Sequence, residues 1–178
     1  DKALVVVDEA YLEFARRPSL ARLTAGQPNL VVLRTLSKAF ALAGARCGSV
    51  IADPEIIGLL RRIISPYAMP SPTIEVVEHA LSPPQLIQAR ARVATLIAER
   101  ERLAQALGAK GAVRRVFPSA ANFLLVEFAN AGRAFDACRA AGLLVRDVRR
   151  QPGLEACLRI TVGTRAQNDR LIDALEQA

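Results

Sequence analysis

Two short runs of branched apolar residues near the start of the chain limit its fold more than any other feature. "LVVVDEAY" covers residues 4–11 and "NLVVLRT" covers residues 29–35. Strands that are apolar on both sides are typical of parallel sheets whose two faces are covered. The runs therefore predict an α/β fold with a mostly parallel sheet, and "RCGSVIAD" at residues 46–53 is a plausible third strand. Because the first run begins so close to Asp1, we expect the complete sheet to need strands outside this sequence.

The remaining sequence predicts helices and a second domain. Asp53 followed by proline predicts a helix start, and a long periodic segment after residue 84 predicts a helix that ends at Gly108. We expect a first domain at residues 1–82 and a second at 83–178, in which the long linking helix leads into a small α+β domain. The second domain is predicted to contain strands at 112–117, 122–128, 143–148 and 157–163, and helices at 131–142 and 165–177.

The formal net charge of +7 raises the possibility of a nucleic-acid partner. However, arginines alternate with glutamates in segments such as "ARARVATLIAERERL", and no aromatic residues accompany them. This pattern predicts a solvated helix face, so we expect no nucleic-acid partner. A basic surface is equally suited to small molecules that carry phosphate.

Several other classes of site are disfavoured by composition. Cys47, Cys138 and Cys157 have no C-x-x-C spacing, which argues against a zinc site and a disulfide framework, and we expect them to be small buried residues. His79 stands in a helical pattern beside carboxylates, which predicts a structural histidine that is at the surface or half-buried, and no metal site. No apolar run is long enough to cross a bilayer, so we expect a soluble, cytoplasmic protein without a membrane partner.

Lys38 stands out because almost every other cation is an arginine. The lysines are Lys2, Lys38 and Lys110 among 24 basic residues. Only a lysine amine can lose its proton and attack a carbonyl to form a Schiff base. A lysine that caps or lies along a helix is the competing interpretation, so the neighbouring residues must decide.

Those neighbours converge on one place. Ligands of open α/β sheets bind at the carboxyl ends of the strands. Asp8 and Tyr11 follow the first predicted strand, and Thr35, Ser37 and Lys38 follow the second. We therefore expect all of them to line one crevice.

The chemistry of this set is coherent. A carboxylate at Asp8 could keep a heterocyclic nitrogen protonated, and Tyr11 could bind a phenolate-type oxygen. Thr35, Ser37 and Arg46, together with backbone N–H groups of a helix expected after Ser37, would bind a phosphate. A pyridine ring with an aldehyde and a phosphate requires these partners, and that cofactor is pyridoxal phosphate.

Three segments also resemble a known family. They are "VVVDEAYLEF", "LRTLSKAFALAGARCG" and "LRITVGT", and the element S-K-x-x-x-x-x-G-x-R-x-G spans Ser37 to Gly48. They resemble the fold type I pyridoxal-phosphate aminotransferases, most closely the histidinol-phosphate branch. The resemblance implies that residues 1–82 are the carboxy-terminal part of a large cofactor-binding domain. Members are longer, so a chain of this length alone is expected to be inactive.

The resemblance also implies a role for each site residue. Lys38 would hold the cofactor as a Schiff base and move a proton at the substrate α-carbon. Asp8 would pair with the pyridinium nitrogen and Tyr11 with the ring's 3-oxygen. Arg159 matches the arginine that binds the acidic group of the substrate, and Arg146 matches a second basic position. The cofactor phosphate would be bound by Thr35, Ser37 and Arg46.

The implied reaction is the interconversion of histidinol phosphate and imidazole-acetol phosphate with glutamate and 2-oxoglutarate, in histidine biosynthesis. A homodimer is also implied. Two alternatives stay open. One is a decarboxylase or lyase of the same fold, of the threonine-phosphate decarboxylase type, and the other is a non-catalytic domain that senses pyridoxal phosphate.

Overall fold

The computed structural model describes residues 3–177, with no side-chain description for Gln177. Backbone contacts divide the chain into two compact units, Asp1–Arg92 and Val93–Ala178. The boundary falls within one long helix, which begins at Pro83. The predicted domain division at residue 83 stays a prediction.

The first unit contains a three-stranded sheet of β1 (Val5–Asp8), β2 (Leu30–Thr35) and β3 (Gly48–Ile51), in that order. β1 pairs with β2 in parallel, and β2 pairs with β3 antiparallel. The three predicted strands are therefore present and the α/β class is confirmed. The described sheet is mixed rather than mostly parallel, because residues 36–47 return the chain directly to β2 without a crossover helix.

The expectation that the first strand is buried on both faces is wrong for the described residues. Val5 is 50% exposed and Val6 is 57% exposed. β1 lies at the edge of the sheet, and within residues 3–177 its hydrogen-bonded neighbour is β2 alone. β2 is the central strand, and Val32 in its middle is fully buried.

Short helices lie between β1 and β2 and after β3, and the helix start predicted at Asp53 is confirmed. The Asp53 side chain accepts a hydrogen bond from the Glu55 N–H at 2.9 Å, which caps the helix that starts at Pro54. Ser19 caps a 3-10 helix in the same way through the Ala21 N–H. The helices that precede residue 83 are α1 (Leu12–Ala15), the 3-10 helices Leu20–Gly26 and Ala43–Ala45, α2 (Pro54–Arg61) and α3 (Ser71–Ala80).

The long helix α4 covers Pro83–Gly108, and its predicted end at Gly108 is confirmed. The second unit continues with a four-stranded antiparallel sheet in the order β4, β5, β7, β6. The predicted strand at 143–148 is reduced to the two residues of β6. The elements after α4 are β4 (Val113–Val116), β5 (Phe123–Phe128), α5 (Ala131–Ala140), β6 (Arg146–Asp147), β7 (Cys157–Thr161) and α6 (Arg165–Ala174).

One hydrophobic core supports the second unit. Alternate residues of β5 are buried, as expected for a strand with one face against a core. Leu103 and Leu107 of α4 are fully buried in the same cluster, together with residues of β7, α5 and α6. Cys138 and Cys157 are buried and Cys47 is half-buried. No helix within residues 3–177 is long and apolar enough to cross a membrane.

Candidate active site

The end of the parallel strand pair places two predicted site residues at the same edge of the sheet. Asp8 is the last residue of β1 and lies opposite Leu33, and Thr35 is the last residue of β2. Asp8 is exposed, and its Oδ1 accepts a hydrogen bond from the Ala10 N–H at 2.9 Å. This bond turns the chain immediately after the strand.

The loop of residues 36–47 presents Lys38. The Leu36 N–H donates to the Cys47 carbonyl at 3.2 Å, which closes the base of the loop, and the Leu42 N–H donates back to the Leu36 carbonyl at 3.0 Å. The next residue, Ala39, is buried, whereas Lys38 is exposed. The loop is therefore anchored on both sides of the lysine.

The helix expected after Ser37 is absent from the structure, so that part of the predicted phosphate site is wrong. A bond from residue 42 to residue 36 spans six positions, whereas an α-helix joins residues four apart. Ala41 has a left-handed φ of 57°, which an α-helix does not allow. A 3-10 turn at Ala43–Ala45 is the nearest helical element.

Lys38 and Tyr11 are brought together. The Lys38 Nζ lies 5.4 Å from the centroid of the Tyr11 ring, within the range of a cation–π contact. Tyr11 is half-buried and directly precedes α1. The residues after β1 and the loop after β2 therefore share one surface, as the sequence predicted.

The predicted hydroxyl pair is also assembled. The Oγ atoms of Thr35 and Ser37 are 2.9 Å apart, and the Ser37 N–H donates to the Thr35 Oγ1 at 3.1 Å. Arg46, at the end of the same loop, is exposed and has a left-handed φ of 53°. Its Nη1 donates to the Ala43 carbonyl at 2.9 Å.

One buried ionic group near this edge was missed by the sequence analysis. Glu9 directly follows Asp8 and is 7% exposed, and its carboxylate lies 3.6 Å from the Arg34 Nη1. An available signal was the arginine in an otherwise apolar strand, because a cation in such a place needs a partner.

The second unit holds the two predicted substrate arginines. Arg146 of β6 and Arg159 of β7 are directly opposite each other on neighbouring antiparallel strands. Like charges in this arrangement are destabilising. The pairing therefore favours an anion near these two side chains.

The environment of Arg159 supports the same conclusion. Its Nε is buried and has no hydrogen-bond partner among residues 3–177. Its guanidinium lies 5.0 Å from the centroid of the Phe123 ring, which offers a π face and no anion. Nearby, Arg149 is paired: its guanidinium bonds both oxygens of Asp147 and lowers the pKa of that carboxyl to about 2. By contrast, the buried Nε of half-buried Arg159 has no hydrogen-bond partner in the described residues.

Other titratable groups of this unit have structural surroundings. Glu99 accepts hydrogen bonds from Arg102 and Asn168, and these donors lower its pKa. Burial raises the pKa of the Cys138 and Cys157 thiols. No cluster of three or more His, Cys, Asp or Glu residues that could hold a metal occurs within residues 3–177.

The architecture defines the class of protein: an α/β unit followed in sequence by an α+β unit, as in fold type I aminotransferases. The histidinol-phosphate aminotransferase of Clostridium acetobutylicum has this fold, with a TM-score of 0.87 at 23% identity over 98% of this chain and 53% of that chain. A model of the family described as aminotransferase class I and II matches residues 1–175. The chain therefore belongs to the class I and II aminotransferase family.

Two curated relatives are histidinol-phosphate aminotransferases. That of Stenotrophomonas maltophilia (strain R551-3) is 56% identical over 174 residues, which cover 98% of this chain and 48% of the relative. That of Escherichia coli O9:H4 (strain HS) is 48% identical over 174 residues, which cover 98% of this chain and 49% of the relative. The chain spans about half the length of the curated relatives it matches.

Two further solved structures are informative. The histidinol-phosphate aminotransferase of Sinorhizobium meliloti, in complex with pyridoxal-5'-phosphate, has a TM-score of 0.82 at 28% identity and covers 98% of this chain and 48% of its own. The L-threonine-O-3-phosphate decarboxylase of Porphyromonas gingivalis has a TM-score of 0.84 at 27% identity, and the match covers 97% of this chain and 55% of that chain.

Proposed function

We propose that the protein containing this chain is a pyridoxal-phosphate-dependent aminotransferase that interconverts histidinol phosphate and imidazole-acetol phosphate, with glutamate and 2-oxoglutarate as the second pair. The observation that supports this most strongly is the 56% identity to a histidinol-phosphate aminotransferase over nearly the whole chain. Among the solved structures, the decarboxylase at 27% identity and the Sinorhizobium meliloti aminotransferase at 28% are equally similar, so the curated relative decides between the two reactions. The family resemblance further supports a homodimer in the cytoplasm that takes part in histidine biosynthesis.

The residues present fit the cofactor. An exposed lysine amine beside a tyrosine ring, a carboxylate at the adjacent strand end and a pair of hydroxyls 2.9 Å apart match its aldehyde, ring and phosphate in chemical type. When bound, pyridoxal phosphate supplies an electron-withdrawing ring that stabilises negative charge developing at the substrate α-carbon.

Lys38 is the residue proposed to hold the cofactor covalently and to exchange a proton with the substrate α-carbon. Both roles need an amine that can be neutral, which an arginine cannot supply. Lys38 lies in a loop that is closed by hydrogen bonds, which restricts where its amine can be placed. Asp8 is proposed to keep the ring nitrogen protonated, and Tyr11 to donate to the ring oxygen.

Thr35, Ser37 and Arg46 are proposed to bind the cofactor phosphate. Two hydroxyl donors and a guanidinium are a suitable set for a dianion. The Thr35 and Ser37 hydroxyls are already close, so binding requires little rearrangement there. Arg46 lies at the other end of the loop, where its exposed guanidinium donates through Nη1 to the Ala43 carbonyl.

Arg159 and Arg146 are proposed to bind the acidic group of the substrate. Their cross-strand pairing and the partnerless Nε of Arg159 in the described residues favour an anionic ligand. A phosphate would neutralise both guanidinium groups and would accept the buried N–H.

The experiment is a product assay on the complete polypeptide that the gene encodes, with pyridoxal phosphate, histidinol phosphate and 2-oxoglutarate. Formation of glutamate and the imidazole ketone in equal amounts is expected. A parallel assay replaces histidinol phosphate with threonine phosphate, and release of CO₂ from it without formation of glutamate would instead identify a decarboxylase. Cofactor binding without turnover of any of these substrates would favour a sensor domain.

A further inference from the structure

Both oxygens of the buried Glu9 carboxylate accept hydrogen bonds. Its Oε2 accepts a hydrogen bond from the Ser19 Oγ at 2.7 Å, and its Oε1 accepts one from the Leu20 N–H at the same distance. The Arg34 Nη1 adds an ion pair at 3.6 Å. Glu9 is 7% exposed, so these partners replace the water that the ionised group would otherwise bind.

Arg34 contacts a second carboxylate, that of Glu13, in addition to Glu9. Its Nη2 donates to the Glu13 Oε1 at 2.5 Å. The guanidinium therefore lies between one carboxylate that follows β1 directly and another in α1. Because its fork of donors has a fixed geometry, an arginine in this position restrains both partners at once.

The positions of these residues along the chain relate the group to the candidate active site. Glu9 lies between Asp8 and Tyr11, and its own N–H donates to the Leu33 carbonyl at 2.9 Å. Arg34 directly precedes Thr35, at the start of the segment that leads to Lys38. The ion pair thus connects the residues after β1 to the end of β2, and the contact between Lys38 and Tyr11 connects the same two segments.

We propose that Glu9 is a positioning residue of this site, which acts through Arg34 to fix Asp8 and Tyr11 relative to the Lys38 loop. This inference depends on the proposed function. A strand pair alone sets the register of the backbone, but β1 ends at Asp8, and Tyr11 lies beyond the ladder. An ion pair with a buried carboxylate favours a defined geometry, because displacement moves the cation away from a carboxylate that water does not reach.

The test uses Glu9→Gln in the complete polypeptide that the gene encodes. Glutamine keeps an oxygen for the Leu20 N–H and has nearly the same volume, but it removes the negative charge that faces Arg34. Glu99→Gln is the matched control, because Glu99 is 8% exposed and is a hydrogen-bonded carboxylate of the other compact unit. Both variants are compared with the wild type by thermal melting without cofactor, by the Kd of pyridoxal phosphate, and by the visible circular dichroism of the bound cofactor.

We expect both variants to lower the melting temperature, but only Glu9→Gln to weaken pyridoxal phosphate binding, by about tenfold. Its visible circular dichroism per bound cofactor should also fall, because the ring is held less uniformly. Equal Kd and equal dichroism in Glu9→Gln and the wild type would overturn the inference. A wild type that binds no pyridoxal phosphate would instead overturn the proposed function itself.

A double-variant comparison tests whether Glu9 acts through Arg34. Arg34→Met and the double variant are measured in the same assays. We expect the double variant to bind the cofactor no more weakly than the weaker single variant, because each change breaks the same connection. Losses that simply add would show that the two residues act separately and would refute the mechanism.

Discussion

Arg159→Met provides a sharp prediction, because stability and binding should change in opposite directions. The native guanidinium faces Arg146 across two strands, and its buried Nε has no partner in the described part of the chain. Methionine keeps an apolar side chain against Phe123 and removes both the charge and the donor. The change should therefore not lower the stability of the unliganded protein. It should weaken the binding of an anionic substrate, because the substrate loses a cationic partner.

The expected changes in stability and in substrate binding are estimated from the contacts of Arg159. A buried donor without a partner costs about 1–3 kcal/mol, and like charges directly opposite on neighbouring strands cost about 0.2–1 kcal/mol. Loss of the cation–π contact offsets about 0.5–1 kcal/mol of this. These contributions sum to a net stabilisation of about 0.2–3.5 kcal/mol, and each 1 kcal/mol should raise the melting temperature by about 2–4 °C. Losing hydrogen bonds to a charged group, about 1.5–3 kcal/mol, should weaken substrate binding about 10- to 150-fold.

The assay combines thermal melting without substrate and measurement of KM and kcat/KM for histidinol phosphate. Arg149→Met is the control, because Arg149 is already paired with Asp147. The control should melt at or slightly below the wild-type temperature and keep the wild-type KM. The reasoning is refuted if Arg159→Met melts several degrees lower while its KM is unchanged, since Arg159 would then be a structural residue.

Further predictions concern pH, reactivity and packing. The pKa of Asp147 is lowered to about 2, first by the side-chain hydrogen bonds from Arg149, so its stabilising contribution is present above its ordinary pKa and is lost as the pH falls through about 2. An NMR titration should give a midpoint near 2 for this carboxyl, and a midpoint at its ordinary value would contradict the pairing. Burial raises the pKa of the Cys138 thiol, so iodoacetamide at neutral pH should modify half-buried Cys47 first, as peptide mapping can show. Leu103→Ala should lower the free energy of unfolding in urea by about 2–5 kcal/mol, and a loss below 1 kcal/mol would contradict its place in the core.

Local signals in the sequence were sufficient for most of the elements. Asp53 followed by proline identified the start of α2, because a carboxylate that accepts an N–H at a helix start is a property of adjacent residues. The end of α4 at Gly108 was also predictable from a local signal, because glycine is a common stop for helices. The positions of Asp8 and Thr35 at one edge followed from the rule that parallel strands end together.

Features that depend on distant partners were not predictable. The run at Val5–Asp8 has the composition of a buried strand, but exposure depends on what covers it, and β1 lies at an edge of the described sheet. The loop after Ser37 has a composition compatible with a helix. In the structure, the bond from the Leu36 N–H to the Cys47 carbonyl closes the loop and Ala41 has a left-handed φ, and local composition specifies neither feature.

The candidate site shows the same division. Lys38 was identifiable because its residue type is rare in this chain, and its contact with Tyr11 supports the predicted convergence. The partnership of Glu9 with Arg34 was not identifiable, because it depends on the spatial arrangement of residues 25 positions apart. The opposition of Arg146 and Arg159 required the register of two strands, which no local pattern specifies.

The most direct test of the central claim is the covalent trapping of pyridoxal phosphate by borohydride on the complete polypeptide, followed by peptide mapping. Lys110 is an internal control, because its amine is paired with Glu176. We predict that the reduced cofactor is recovered on the Lys38 peptide, that Lys110→Arg labels like the wild type, and that Lys38→Arg abolishes the label. Labelling that persists in Lys38→Arg, or an unlabelled wild type, would contradict the assignment of Lys38 as the residue that holds the cofactor.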